Sequence, residues 1–170
     1  MSRLVIKAKC MKVLNEAGRV GTDDEAIQHG KNFYKFMFGH HPDLRVFFKG
    51  AENFTPADVQ NSDRFAKQGN KNSPLILYFL NRQKLLLAVR IIINTYDDPE
   101  TFRAYARETI NRHIKFKIDR ALWLAFFTVL VNSLKEHTIV DEEAEKAFLQ
   151  IGKEFSDECL KHIVALNLCN

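Results

Sequence analysis

The sequence predicts a single all-α domain over residues 1–170, and three observations support this fold class. The chain contains only 7 Gly and 4 Pro, too few for the many turns of a β-sandwich or barrel. Hydrophobic residues make up 46% of the chain, with 14 Phe among them. Apolar residues recur at three- and four-residue steps, and no segment alternates as a strand does. We expect seven or eight helices around one core.

Charge and cysteine content limit the partners and the location that we expect. The net charge of +4 is spread along the chain, so we expect no nucleic-acid partner. Lys7 and Lys9 interrupt any N-terminal signal core, and no uncharged apolar segment reaches ~20 residues, so we expect no membrane partner. The 3 cysteines are widely spaced. This favours reduced thiols in a cytoplasmic protein, with intermolecular pairing as the alternative.

The first two helices are predicted from their apolar spacing and their caps. The first runs from Arg3 to Ala17 and ends at Gly18–Gly21. Thr22, with Glu25 three residues later, is a capping box that starts the second helix. The predicted inward residues are Leu4, Ala8, Met11 and Leu14 in the first helix, and Gly30, Phe33, Tyr34, Met37 and Phe38 in the second.

Tyr34 is the polar residue on the buried stripe of the second helix. A buried phenol needs a hydrogen-bond partner. One interpretation is a tyrosine that donates to a backbone carbonyl. The other is a donor that points into a ligand pocket. The sequence pattern leaves both open.

Further caps divide the rest of the chain. Pro42 starts a short turn, and Thr55-Pro56-Ala57-Asp58 starts a helix with an N-cap and a first-turn proline. Another helix begins at Ser62–Gly69. Asp97–Glu100 interrupts the chain and caps the helix that carries His113. Asp119 and Asp141 open the last two helices. Their predicted apolar positions are Leu122, Trp123, Phe126, Phe127, Leu130 and Leu134, then Ala144, Phe148, Ile151, Phe155, Cys159 and Ile163.

The segment from Phe102 to His113 carries the strongest functional signal. Its apolar face, formed by Phe102, Tyr105, Ala106, Thr109 and Ile110, ends at the imidazole of His113. A neutral imidazole beside an apolar wall is what haem iron requires as an axial ligand. The alternative is a core histidine that is satisfied by a backbone carbonyl. The other histidines lie in turns, beside helix stripes or near a terminus, where surface or capping roles are expected.

Several segments in order resemble the globins, and in particular the nematode globins. The most specific of these segments are Phe33–Phe38, Pro42–Glu52, Phe65–Gly69, Arg107–His113 and Ala121–Phe127. The resemblance covers roughly Ala8 to His162. It implies the globin fold, a helical sandwich around haem b.

The resemblance also implies roles for individual residues. His113 matches the proximal iron ligand, and Phe48 matches the phenylalanine that stacks on the porphyrin. Gln68 and Tyr34 match the distal glutamine and tyrosine of nematode globins. Both could donate hydrogen bonds to bound dioxygen, which implies high affinity through slow release. The resemblance places an aliphatic residue over the iron. Leu85 takes that place here, or Asn72 does if the first piece of the distal helix continues without a break.

The function implied is reversible binding of dioxygen and other diatomic gases, for storage or transport, without catalysis. One alternative is a haem redox enzyme or sensor on the same fold, of the peroxidase or nitric-oxide dioxygenase kind. Another is a helical interaction protein without haem. The variant His113→Gly would distinguish the two haem-binding alternatives from the haem-free protein, because only a haem protein changes colour.

One stretch departs from the globin pattern. About thirteen residues, Asn70–Arg82, separate Gln68-Gly69 from the pattern that resumes at Gln83. An equivalent alignment keeps Asn70-Lys71 and inserts Asn72–Lys84. Because Pro74 cannot lie inside a helix without loss of a hydrogen bond, we expect the distal helix to be split near Asn72–Pro74, with a second piece to about Asn94. The apolar run Leu75–Leu80 could cover the pocket, form a homodimer interface or stay exposed. An unspliced segment is a further alternative.

Overall fold

In the computed structural model, the described residues are 1–21, 23–62 and 84–168. Every regular element in these ranges is a helix, which confirms the all-α prediction. The seven α-helices described are α1 (Arg3–Ala17), α2 (Asp24–His40), α3 (Pro56–Asn61), α4 (Lys84–Asn94), α5 (Pro99–His113), α6 (Arg120–Lys135) and α7 (Glu142–Ala165), and the two short 3-10 helices are Pro42–Phe47 and Ile114–Phe116.

Side-chain caps set most helix starts where the sequence predicts them. The Thr55 hydroxyl accepts from the Asp58 N–H, and the Asp58 carboxylate accepts from the Thr55 N–H, so α3 has a full capping box. Asp98, Asp119 and Asp141 cap α5, α6 and α7. These contacts satisfy N–H groups that have no partner inside the helix.

The start of α2 differs from the prediction by one residue. Asp23 is its N-cap, and the Asp23 carboxylate accepts from the Ala26 N–H at 3.0 Å. Thr22, the predicted cap, lies outside the described residues. The buried stripe of α2 is confirmed, because Gly30, Phe33, Tyr34, Met37 and Phe38 are all buried.

The predicted inward face of α1 is wrong at Leu4 and Ala8, whereas Leu14 is buried and Met11 packs against the core. Leu4 is 64% exposed, Ala8 is exposed, and Met11 is only partly buried. The face that packs is formed by Ile6, Cys10, Val13, Leu14 and Ala17. Apolar residues surround α1, so their spacing does not distinguish the two faces, and packing against α4 and α7 selects one.

The core is built around α7, which packs against α1, α5 and α6, while α2 packs against α3 and α6. The predicted inward residues of α7, from Ala144 to Ile163, are all buried. Cys10 and Cys159 are buried and form no disulfide within the chain, and burial raises the pKa of each to about 12. Cys169 lies outside the described residues.

Helix α4 connects the second half of the chain to α1. Leu86, Val89 and Ile93 are buried, and α4 ends at Asn94, as predicted. The Arg90 guanidinium donates to the Leu14 and Gly18 carbonyls at 3.1 and 3.2 Å, so it caps the C-terminus of α1. The predicted split near Asn72–Pro74 and the insertion Asn70–Arg82 lie outside the described residues.

The membrane prediction can be checked over the same ranges. Among the helices of residues 1–21, 23–62 and 84–168, none has both the length and the apolar character needed to cross a bilayer.

Candidate functional site

His113 is the last residue of α5, and its ring is half-buried. Its Nδ1 atom lies 2.7 Å from the Thr109 carbonyl oxygen, one turn earlier. A carbonyl can only accept, so Nδ1 carries the proton, and in the neutral tautomer with this proton the lone pair is on Nε2. The carbonyl contact expected of a core histidine is therefore present. Metal-ligating histidines make the same contact, because it orients the ring and fixes the tautomer.

Aromatic and aliphatic side chains surround the His113 ring. Trp123 meets it edge to face, with ring centroids 5.5 Å apart and planes at 89°. Phe116 lies on another side, with centroids 5.8 Å apart. The ring lines a pocket of about 150 Å³ together with Ile110, Ile114, Lys117, Ile118, Trp123, Ile163 and Leu168. Most of these walls are apolar, as around an imidazole haem ligand, but Ile114 is 43% and Phe116 46% exposed, so the ring is only partly shielded from water.

Tyr34 and Phe48 form a second group of predicted site residues. Their rings meet edge to face, with centroids 5.7 Å apart. Phe48 follows the 3-10 helix Pro42–Phe47 and also packs on Phe38, with centroids 5.2 Å apart. Tyr34 is only 6% exposed. Two of the predicted pocket residues are therefore in direct contact.

Helix α6 connects the two groups. Phe126 packs edge-on against Phe33, the neighbour of Tyr34, with ring centroids 6.2 Å apart. Trp123, one turn earlier on α6, contacts His113. Leu85 on α4 is partly buried and packs against the same core. Gln68 lies outside the described residues.

The side chains around His113 fit a haem. The donor is an imidazole with one nitrogen held by a carbonyl, and the surroundings are mainly aromatic and aliphatic. Haem iron needs such a ligand and such walls. The individual roles of His113, Phe48, Tyr34, Gln68 and Leu85 stay predictions.

The contacts of three other histidines fit structural roles. His29 Nδ1 accepts from the Arg19 N–H at 3.1 Å. Its pKa is lowered, mainly because burial disfavours the charged ring. His40 stacks on Phe36, and the His162 ring contacts Asn111. These contacts agree with the surface and capping roles expected from the sequence.

Comparison with known proteins identifies the family. The sequence profile of the globin family, described as "Globin", matches residues 31–76 and 81–159. The chain belongs to the globin family. The two matched segments are separated by residues 77–80, which fall within the predicted insertion. The family implies haem binding, and it confirms the prediction of a gas-binding protein that is not an enzyme.

Relatives of this globin come from nematodes. A globin-like protein of Caenorhabditis briggsae is 44% identical over 168 residues, which are 99% of this chain and 96% of that protein. A myoglobin of Nippostrongylus brasiliensis is 44% identical over 154 residues, 91% of this chain and 90% of that protein. An extracellular globin of Pseudoterranova decipiens is 42% identical over 90% of this chain and 42% of its own length.

The solved structure of the globin-like protein of C. elegans superposes on this globin with a TM-score of 0.88. It covers 100% of this chain and 99% of that one, at 39% identity. The resemblance to nematode globins and the globin fold are therefore confirmed.

Trp123, Lys117 and Leu168 line the pocket beside His113, although the sequence pattern predicts no site role for them. Trp123 carried a usable signal, because it lies within a segment, Ala121–Phe127, that resembles the globins. Lys117 and Leu168 lie in the turn after α5 and just beyond α7, where no periodic pattern indicates a direction. Their positions depend on how α5 and α7 pack.

Proposed function

We propose that this globin holds haem b through His113 and binds dioxygen reversibly, as a store or a carrier. The observation that carries the proposal is the His113 ring, oriented by the Thr109 carbonyl at 2.7 Å with Nε2 left for a metal. Two relatives, from N. brasiliensis and Ascaris suum, are named myoglobin, which supports this function. Bound haem supplies the iron at which dioxygen and other diatomic gases bind.

The protein supplies orientation and mainly apolar surroundings. The Thr109 carbonyl keeps the His113 ring in one tautomer, and Trp123 packs against the ring edge. Phe48, in contact with Tyr34 and Phe38, provides an aromatic surface for the porphyrin. Apolar walls lower the local dielectric, so each polar contact inside the pocket is stronger than in water.

We further propose that Tyr34 and Gln68 give this globin a high oxygen affinity. The Tyr34 phenol is buried, and Phe48 and Phe33 pack against its ring. Hydrogen bonds to charged acceptors contribute about 1.5–3 kcal/mol each, and about 1.4 kcal/mol is tenfold in affinity. Two donors to a partly anionic ligand would therefore slow its release by roughly two to four decades.

Three further features belong to the same proposal. Leu85, partly buried on α4, would be the aliphatic residue above the iron. Free buried Cys10 and Cys159 support a cytoplasmic location, which cell fractionation would test. The third feature is the expected homodimer, which sedimentation of the purified chain would test.

An absorption spectrum tests the proposed function. The purified chain is mixed with haem, reduced with dithionite and exposed to carbon monoxide. A sharp Soret band that shifts with carbon monoxide is expected, because a histidine-ligated iron with an open side binds the gas. Absorption like that of free haem would contradict the proposal and favour a haem-free helical protein. Gln68→Leu should then raise the oxygen dissociation rate without removing the Soret band.

A further inference from the structure

Helices α5 and α7 contact each other at matching four-residue steps. Phe102 packs edge-on against Phe155, with ring centroids 6.1 Å apart. One turn further along both helices, the Cys159 thiol lies 3.7 Å from the Ala106 carbonyl oxygen, to which it donates. The residue numbers rise together, so the helices run parallel here. These contacts define one register of α5 along α7.

Two polar contacts extend this register toward His113. Arg107 Nε donates to the Glu158 Oε1 atom at 2.7 Å, and Asn111 Oδ1 lies 2.9 Å from His162 Nε2. The two pairs are again four residues apart on each helix. Asn111 precedes His113 by two residues in the same continuous helix.

The Arg107–Glu158 pair restricts sliding more than the apolar contacts do, and the exposed Asn111–His162 pair adds a weaker restraint. A ring contact tolerates a small axial shift, whereas a hydrogen bond weakens steeply as its distance and angle depart from the optimum. The Glu158 residue is only 8% exposed. A shift that removes Arg107 would therefore leave a desolvated carboxylate unpaired, which is strongly unfavourable.

We propose that the Arg107–Glu158 and Asn111–His162 pairs fix α5 along α7 and thereby set the position of the His113 ring. They are positioning residues, because they act through His113 and not on the ligand. The inference rests on the proposed function, since it assigns the iron to His113. An axial shift of α5 would move the ring with it, because α5 is continuous through His113.

The test removes the charge of the Arg107–Glu158 ion pair and the Asn111–His162 hydrogen bond in a Glu158→Gln, Asn111→Ala variant. Glutamine keeps the volume and an oxygen acceptor, so no unpaired buried charge remains. The readouts are the iron–histidine stretching band of the ferrous, ligand-free protein by resonance Raman, and the rate of haem transfer to excess apomyoglobin. We expect the band to shift and haem transfer to accelerate about tenfold, equivalent to about 1.4 kcal/mol.

Glu145→Gln is the matched control. It weakens a different ion pair, which joins α6 to α7. In this pair the Lys135 ammonium lies 2.7 Å from Glu145 Oε1. A general loss of stability would affect both variants, whereas the band and the transfer rate should change only when the α5 pairs are removed. The single variants Glu158→Gln and Asn111→Ala give the same comparison if the double variant does not fold.

The outcomes separate this inference from the proposed function. If the double variant melts at a lower temperature but keeps the wild-type band and transfer rate, the pairs are only structural and the inference is wrong. If the wild-type chain shows no haem spectrum, the proposed function fails and the inference fails with it.

Discussion

The Tyr34 ring meets the Phe48 ring edge to face, with centroids 5.7 Å apart and planes at 85°. This relationship joins α2 to the segment that follows the 3-10 helix Pro42–Phe47. Such pairs are worth about 0.5–1.5 kcal/mol beyond their buried area. Because the contact uses the ring and not the hydroxyl, removal of the hydroxyl should leave the packing intact.

Tyr34→Phe keeps the ring contact and is expected to change oxygen binding. Loss of one hydrogen bond to a charged acceptor should raise the oxygen dissociation rate by about ten- to a hundredfold. Stopped-flow displacement of oxygen by carbon monoxide measures this rate. Tyr105→Phe, at a half-buried tyrosine on α5, is the control and should keep the wild-type rate. An unchanged rate in Tyr34→Phe would show that the phenol does not act on the ligand.

His113→Gly should abolish haem binding by the chain. The variant removes the imidazole, and added free imidazole can occupy the space left in the pocket. We expect the carbon-monoxide shift of the Soret band to be lost and then restored by imidazole. His137→Gln, at an exposed histidine, should keep the wild-type spectrum. A normal spectrum in His113→Gly without imidazole would exclude His113 as the iron ligand.

The stability of the fold should decrease in acid because of His29. Its Nδ1 atom accepts from the Arg19 N–H at 3.1 Å, a contact that requires the neutral ring. Burial lowers the pKa of His29 below its ordinary value of 6.5, with Arg19 and His137 adding to the effect and Glu25 and Asp23 opposing it. The unfolded chain therefore binds the proton more readily than the folded chain does.

It follows that the His29 contribution to stability is present above pH 6.5 and decreases as the pH falls below it, levelling off below the lowered folded-state pKa. Urea unfolding between pH 8 and pH 5 measures this change. His29→Gln, which can still accept the N–H, should reduce the pH dependence. His40→Gln is the control, because His40 Nδ1 faces the Phe36 carbonyl and needs no neutral ring. Equal slopes for wild type and His29→Gln would contradict the assignment.

Gly152→Ala should destabilise the contact between α6 and α7. A Cβ at this position would lie 2.5 Å from the Cβ and Cγ atoms of Phe127, which is buried. Overpacking of this kind costs about 1–3 kcal/mol. Urea denaturation measures the loss in free energy of unfolding. Gly39→Ala, whose Cβ would meet the Pro56 ring at 3.3 Å, should have a smaller effect, and equal stability of Gly152→Ala and wild type would show that Phe127 can move aside.

The sequence by itself determined most helix ends and the end of α5 at His113. Asp98, Asp119 and Asp141 cap helices where their positions predict it, because capping depends on residues only two or three positions apart. The stripe of α2 was also predictable, since its apolar residues lie on one face. Local interactions of this kind need no information about the rest of the chain.

Only the tertiary structure decided which face of α1 is buried and what surrounds His113. Leu4 and Ile6 are both apolar, yet Leu4 is 64% and Ile6 0% exposed. The Trp123 contact with His113 and the α5–α7 register depend on residues far apart in the chain. No local pattern encodes such contacts, because they result from the packing of whole helices against one another.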